Sequence, residues 1–153
     1  MRKILMIVLC LMMIPVWALA ENPAPVQEYV DLLESHGVDL SMVDMTLYKK
    51  DVHDWYSCSI AKFMTVTYDV YHDGSRDTLM LQAPDTWRPQ RDAFLLLLEY
   101  MLGMDADEAE STLARLEYNV ISNTSEIVTD DYKISYMEAN TFCSLTVTRY
   151  PAP

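Results

Sequence analysis

The fold of this chain is decided by residues 64–83, MTVTYDVYHDGSRDTLMLQA. Asp73-Gly74 is a two-residue turn signal, and the segments on either side of it alternate apolar and polar residues. A two-residue loop places Val70 opposite Asp77, and a one-residue slip from this register would mix the two faces. The stretch therefore predicts an antiparallel β-hairpin with one apolar face and one polar face. The apolar face holds Met64, Val66, Tyr68, Val70, Leu79, Leu81 and Ala83.

Helical patterns flank the hairpin on both sides. The first helix has an apolar stripe with i, i+3, i+4, i+7 spacing, and Gly37 supplies its stop. The second follows Pro89, which suits a first helical turn, and Gly103 ends it. The third opens on a capping box formed by Asp105 and Glu108. The stripe of the first helix consists of Val26, Tyr29, Val30 and Leu33.

The last third of the chain predicts a β-meander. A turn at Asp130-Asp131 pairs Ile127 with Ile134, and a loop over residues 138–141 pairs Ile134 with Leu145. Both turns place the same apolar residues on one face, and this agreement supports the arrangement. The shared face holds Ile127, Tyr132, Ile134, Tyr136, Cys143, Leu145 and Val147.

These elements predict an α+β domain, with antiparallel sheet segments (the hairpin plus the C-terminal meander) packed against three helices. The element order is helix, strands, two helices, strands. Two successive helix-then-sheet blocks suggest a tandem duplication, although the residues themselves show no convincing repeat.

Residues 1–20 have the layout of a secretory signal peptide. A short basic start at Arg2 and Lys3 precedes an apolar run over residues 4–17, and small residues at Ala18 and Ala20 precede the expected cut. We expect residues 21–153 to form one small domain that is secreted or held in the periplasm or cell envelope. Without the signal peptide we expect no membrane insertion. Retention as an N-terminal anchor is the alternative, because the apolar run is just long enough to span a bilayer.

The composition is strongly acidic, with 23 Asp and Glu against 11 Lys and Arg and a net charge of −12. Such a surface repels nucleic-acid phosphates, so we expect no nucleic-acid partner, whereas a basic protein or peptide is compatible with it. The chain has only 3 glycines and none are clustered, which excludes a phosphate-binding glycine loop. We expect no cofactor.

Cys58 and Cys143 are the cysteines left once a cleaved signal peptide has removed Cys10. Both fall on predicted apolar faces, although Lys62 interrupts the pattern of the first and suggests a β-bulge. Two cysteines in an oxidising compartment usually pair, so we predict a disulfide between them. Two buried thiols acting as small apolar side chains are the alternative.

The densest group of potential metal ligands is Asp51, His53 and Asp54, with His72 and Asp73 as a second group. Neither group has the spacing of a known zinc or calcium motif, and solvated loops explain both. We therefore predict no metal site. We also predict no catalytic residues, because no serine-elbow or comparable motif is present.

Two clusters of aromatic and arginine side chains are the best candidates for a binding surface. They are Trp55 with Tyr56, and Trp87 with Arg88 and Arg91. Trp, Tyr and Arg dominate interface hot spots, although either tryptophan could instead pack into the core. The leading hypothesis is a non-catalytic module that binds a protein or peptide. A small extracellular hydrolase using His53 with nearby acids, or a structural cell-envelope component, are the alternatives.

Overall fold

A computed structural model describes residues 23–38, 40, 44–61, 63–121 and 123–150 of the 153-residue chain. The predicted signal peptide lies outside the described residues. Three helices and seven strands run along the described part of the chain. The helices are α1 (Ala24–Ser35), α2 (Gln90–Leu102) and α3 (Ala106–Tyr118). The strands are β1 (Asp44–Lys49), β2 (His53–Ala61), β3 (Met64–Tyr71), β4 (Asp77–Pro84), β5 (Thr124–Val128), β6 (Tyr132–Glu138) and β7 (Phe142–Arg149).

All seven strands belong to one antiparallel sheet in the order β1-β2-β3-β4-β7-β6-β5. The hairpin β3–β4 and the meander β5–β6–β7 are joined where β4 pairs with β7, along the whole of both strands. This arrangement confirms the predicted α+β class. It does not confirm a tandem duplication, since one helix precedes four strands and two helices precede three, all within one sheet.

The hairpin has the register that the Asp-Gly turn predicts, with Val70 opposite Asp77 and Val66 opposite Leu81. At the turn, the Asp73 carboxylate accepts a hydrogen bond from the Ser75 backbone N–H at 2.9 Å, and Gly74 adopts the left-handed region with φ 70°. The β-bulge was predicted within one continuous strand, but the chain reverses there: β2 ends at Ala61 and pairs antiparallel with β3, and the register shift lies between Ser59 and Ala61. Lys62 itself lies outside the described residues.

The meander was predicted correctly at its first turn and wrongly at its second. Ile127 pairs with Ile134 as expected, but Ile134 pairs with Val147 and not with Leu145. The chain turns more tightly than a four-residue loop, because the Ala139 N–H donates to the Phe142 carbonyl at 2.8 Å. A shift of two residues keeps every side chain on its face, so the buried face is unchanged.

Two helix ends lie where their local signals predicted, whereas Pro89 immediately precedes α2 and is not part of its first turn. The Asp105 carboxylate accepts a hydrogen bond from the Glu108 N–H at 2.9 Å and caps α3. Gly103 ends α2 in the left-handed conformation with φ 66°. None of the helices that the structure describes is long and apolar enough to cross a membrane.

One hydrophobic core lies between the three helices and one face of the sheet. α1 contacts β3, α2 contacts β4 and β7, and α3 contacts β5 and β6. The largest fully buried side chains are Tyr29, Phe94, Leu33, Ile60, Leu79, Leu81, Leu97, Leu98, Leu113, Leu116, Ile134 and Leu145.

The predicted disulfide between Cys58 and Cys143 is not formed. Both cysteines are buried on the helix-covered face, as expected, but β3 and β4 separate their strands. Three strand spacings put the two backbones roughly 14 Å apart, twice the Cα separation that a disulfide tolerates. The prediction placed both cysteines on the correct face of the sheet, but it did not include the number of strands that separate them.

Candidate functional site

The sheet presents a second face on which no described helix packs. We call this the helix-free face; it consists of the outward side chains of β2, β3, β4 and β7. Antiparallel sheets often expose one such face to water. Its centre is rich in hydroxyl groups and holds Ser57, Thr65, Thr67, Thr78, Met80, Gln82, Ser144 and Thr146.

A shallow pocket of about 300 Å³ lies on this face near the β1–β2 turn. We call it the Trp55 pocket. Its floor comes from alternate residues of neighbouring strands, because side chains two apart on a strand point to the same side. It is lined by Lys50, His53, Trp55, Thr67, Asp69, Thr78, Met80 and Thr146.

The aromatic wall of the Trp55 pocket is the Trp55 ring, which stacks on Tyr48 outside the pocket. Tyr48 and Trp55 are directly opposite in the β1–β2 ladder, and their ring centroids are 4.7 Å apart at an interplanar angle of 25°. The Lys50 ammonium lies 5.8 Å from the centroid of the Trp55 ring, within the range of a cation–π contact. The ring is thus held on a regular strand and already attracts a cation.

The polar side of the pocket is formed by His53 and Asp69. The His53 Nε2 atom lies 3.8 Å from the Asp69 Oδ1 atom, too far for a hydrogen bond. His53 Nδ1 and Asp69 Oδ1 are buried and have no hydrogen-bond partner among the described residues. The two side chains retain 15% and 32% of their exposure, so solvent still reaches the pair. Their polar groups are therefore incompletely satisfied.

Tyr71 and Arg76 lie next to His53 on the side of the hairpin turn, outside the lining of the pocket. The Tyr71 ring lies 5.1 Å from the His53 ring, centroid to centroid. Arg76 stacks its guanidinium 3.9 Å from the Tyr71 ring centroid and donates a hydrogen bond to the Tyr71 hydroxyl. Arg76 is thus held by Tyr71 in this arrangement.

A second pocket of about 300 Å³ lies further along the same face. We call it the Phe142 pocket. Met80 of the first pocket and Gln82 of the second are two residues apart on β4, about 7 Å along the strand. Phe63 is 75% exposed at the rim of the second pocket. The lining residues are Phe63, Gln82, Pro84, Thr141 and Phe142.

The structure does not bring the five predicted binding residues together. Trp55 lies on the helix-free face, whereas the neighbouring Tyr56 points to the helix-covered side and packs at the edge of the core. Trp87 is partly buried against the core beyond the end of β4. Trp55 is level with Thr78 and Trp87 follows Pro84, so the two tryptophans lie roughly 20 Å apart along the sheet.

The two predicted arginines lie on the helical side of the protein and not on the helix-free face. Arg91 of α2 forms ion pairs with Glu110 at 2.6 Å and Glu117 at 3.5 Å, and so ties α2 to α3. Arg88 is exposed and lines a cleft of about 640 Å³ between the end of α1 and α2. The cleft also includes His36, Val38, Pro89, Asp92, Leu95, Leu96 and Glu99.

The two predicted His/Asp groups are joined by one contact, since His72 Nε2 of the second lies 3.2 Å from Asp54 Oδ1 of the first. His53 is directly opposite Tyr71 in the β2–β3 ladder and lies near Asp69, which belonged to neither group. His53 and Asp54 are adjacent on a strand and therefore point to opposite faces. Over the residues that the structure describes, no group of three or more His, Cys, Asp or Glu is placed to hold a metal ion.

Asp69 and Thr67 were missing from the predicted site. The hairpin register already placed both on the polar face of β3, so the signal was present. A polar face of a hairpin is ordinarily only its solvated face, so this signal alone does not indicate a binding site. What the hairpin alone could not show is that β2 adds Trp55 and His53 beside them.

The chain matches no protein-family model, no curated protein and no solved structure.

Proposed function

We propose that this protein is an extracytoplasmic, non-catalytic module that binds a polypeptide partner across the helix-free face. The observation that carries the proposal is the pairing of the Trp55 pocket and the Phe142 pocket on one uncovered face of a rigid sheet. Both pockets consist largely of side chains fixed by strand pairing, which suits a preorganised binding surface.

The shape of the surface favours a polypeptide over a small metabolite. Each pocket has a volume of about 300 Å³, at the lower end for small-molecule sites, and is a shallow depression rather than a deep cavity that encloses a ligand. The two pockets follow the direction of β4, from Thr78 beside Trp55 to Pro84 beside Phe142, about 20 Å that an extended segment of about seven residues would span. The threonine and serine hydroxyls between them can exchange hydrogen bonds with a polar backbone.

The chemistry of the surface agrees with a protein interface. Trp55 supplies a large aromatic side chain beside the polar residues of the pocket, and tryptophan is among the residues most common in hot spots. The net charge of −12 favours a partner with basic residues and speeds their encounter. Export by the predicted signal peptide would place this interaction in the periplasm, at the cell envelope or outside the cell.

The proposal is tested by selecting peptides from a displayed random library against the protein and then measuring their affinity for variants. Trp55→Ala should weaken the selected peptides at least about tenfold, since it removes the aromatic anchor of the Trp55 pocket. Tyr118→Ala is the matched control, because Tyr118 is an aromatic residue of α3 that is 89% exposed. Peptides that bind Trp55→Ala as tightly as wild type would refute the assigned surface.

The hydrolase alternative now has one specific observation in its favour, the proximity of His53 to Asp69. A carboxylate beside an imidazole is the second half of a catalytic triad. A panel of ester, peptide and glycoside substrates would test it. Turnover that His53→Ala abolishes would replace the binding proposal with an enzymatic one.

A further inference from the structure

The Asp69 carboxylate is short of hydrogen-bond donors. Its Oδ1 atom is buried without a hydrogen-bond donor among the described residues, while the side chain as a whole is 32% exposed. A buried carboxylate oxygen without a donor loses its hydration without compensation. A ligand that donates N–H hydrogen bonds to this carboxylate would replace the hydrogen bonds to water that the oxygen lost on folding.

Nearby cations of the described chain do not fill this role. His53 is the only salt-bridge partner of Asp69 among the described residues, and its Nε2 atom is 3.8 Å away. Arg76 directs its guanidinium to Tyr71. Lys50 directs its ammonium to the Trp55 ring, 5.8 Å from the centroid.

Trp55 supplies a flat surface next to the carboxylate. Trp55 and Asp69 are directly opposite in the β2–β3 ladder, so their side chains are nearest cross-strand neighbours on the helix-free face. A tryptophan ring is the aromatic surface that attracts cations most strongly. The pocket thus combines an anion that lacks donors with a ring that attracts positive charge.

From this combination we infer that the Trp55 pocket binds the guanidinium group of an arginine side chain carried by the polypeptide partner. A guanidinium is planar, so it can stack on an indole ring and donate two parallel hydrogen bonds to one carboxylate. A lysine ammonium offers neither feature. The inference rests on the proposed function, since it names the side chain that anchors the partner.

Lys50 then acts as an internal competitor. Its ammonium holds the cation–π position on Trp55 that the incoming guanidinium needs. Binding of arginine must displace it, and removal of the Lys50 charge should strengthen binding. Arginine recognition therefore predicts opposite effects of two substitutions: removing the charge of Asp69 should weaken the complex, and removing the charge of Lys50 should strengthen it.

The test is an NMR titration of isotope-labelled protein with a threonine-flanked pentapeptide that has arginine at its centre. The control peptide replaces arginine with citrulline, which has nearly the same shape and no charge. We expect the arginine peptide to shift the Trp55 indole and Asp69 amide signals and to bind at least about tenfold more tightly than the citrulline peptide.

Two variants test the assignment of residues. Asp69→Asn should weaken the arginine peptide by about tenfold, and Lys50→Met should tighten it by about twofold or more. A misfolded variant would not tighten binding, so Lys50→Met keeps the inference falsifiable if Asp69→Asn is unstable. Equal affinity of the two peptides, or weaker binding by Lys50→Met, would overturn the inference.

Failure of this inference is distinguishable from failure of the proposed function. If library-selected peptides depend on Trp55 but not on arginine or Asp69, the binding face is correct and its arginine anchor is wrong. If free arginine amide binds more tightly than the pentapeptide, a small molecule replaces the polypeptide as the ligand, and the inference is also overturned.

Discussion

The ion pair between Asp77 and Arg149 joins the first half of the sheet to the second. The two residues are directly opposite in the β4–β7 ladder, and Arg149 donates to both carboxylate oxygens, with Nε 3.0 Å from Oδ1. Arg149 Nη1 also lies 3.5 Å from the Met101 carbonyl at the end of α2. Hydrogen bonding with Asp77 raises the pKa of Arg149 above its ordinary value.

Asp77 and Arg149 differ in exposure, and for this reason we expect substitution of each to lower the free energy of unfolding by a different amount. The side chain of Asp77 is 12% exposed, whereas that of Arg149 is 42% exposed and can turn to water. Arg149→Met leaves a nearly buried carboxylate without its cation, so we expect it to lower the free energy of unfolding by about 2–3 kcal/mol. Asp77→Asn should cost about 1–2 kcal/mol, since the released guanidinium is hydrated.

Urea unfolding followed by tryptophan fluorescence measures both variants and the double variant. The double variant should cost less than the sum, with a coupling of about 1–2 kcal/mol, because it removes the stranded charge. If Asp77→Asn is more costly than Arg149→Met, or if the two changes are additive, the burial argument is wrong.

Three further predictions concern the core and its buried groups. Leu81→Ala should lower the free energy of unfolding by about 2–5 kcal/mol, since Leu81 is fully buried on a central strand. The control is Gln82→Ala, because Gln82 is the next residue and points outward; it should change the free energy of unfolding by less than about 0.5 kcal/mol. Similar losses for the two variants would contradict the assigned faces. Burial raises the pKa of Tyr68 to about 12, so its contribution to stability is fully present below a pH of about 10 and is lost as pH rises through about 12; burial also raises the pKa values of three other tyrosines. A phenolate absorbance titration should show four late tyrosines, Tyr29, Tyr68, Tyr100 and Tyr136, and uniform ionisation near the ordinary pKa would contradict this. Finally, alkylation of unfolded protein without reductant should label both Cys58 and Cys143, and a mass showing neither label would restore the disulfide.

Local signals in the sequence were enough to predict most of the elements. The Asp73-Gly74 turn specified the hairpin register, and the Asp105 cap and Gly103 stop specified the ends of helices, because each depends on a few neighbouring residues. The second meander turn had no such signal. Its register was therefore missed by two residues, and the correct faces survived because the error was even.

Features that depend on the order of strands could not be predicted in this way. Cys58 and Cys143 share a face, but only the neighbour list of the sheet reveals the two strands between them. The pairing of Asp77 with Arg149 could not be predicted for the same reason, because the two residues are far apart in the chain. The Trp55 pocket also depends on strand order, because it forms only where β2 lies beside the strand that carries Asp69.

The most direct test of the binding face is a chemical-shift map of a library-selected peptide on the isotope-labelled protein. We predict that the perturbed backbone amides cluster along β2, β3, β4 and β7 around Ser57, Thr67, Met80 and Thr146, while α1 and α2 are unaffected. Perturbations centred on His36, Arg88 and Leu95 would instead place the partner in the cleft between α1 and α2 and contradict the account.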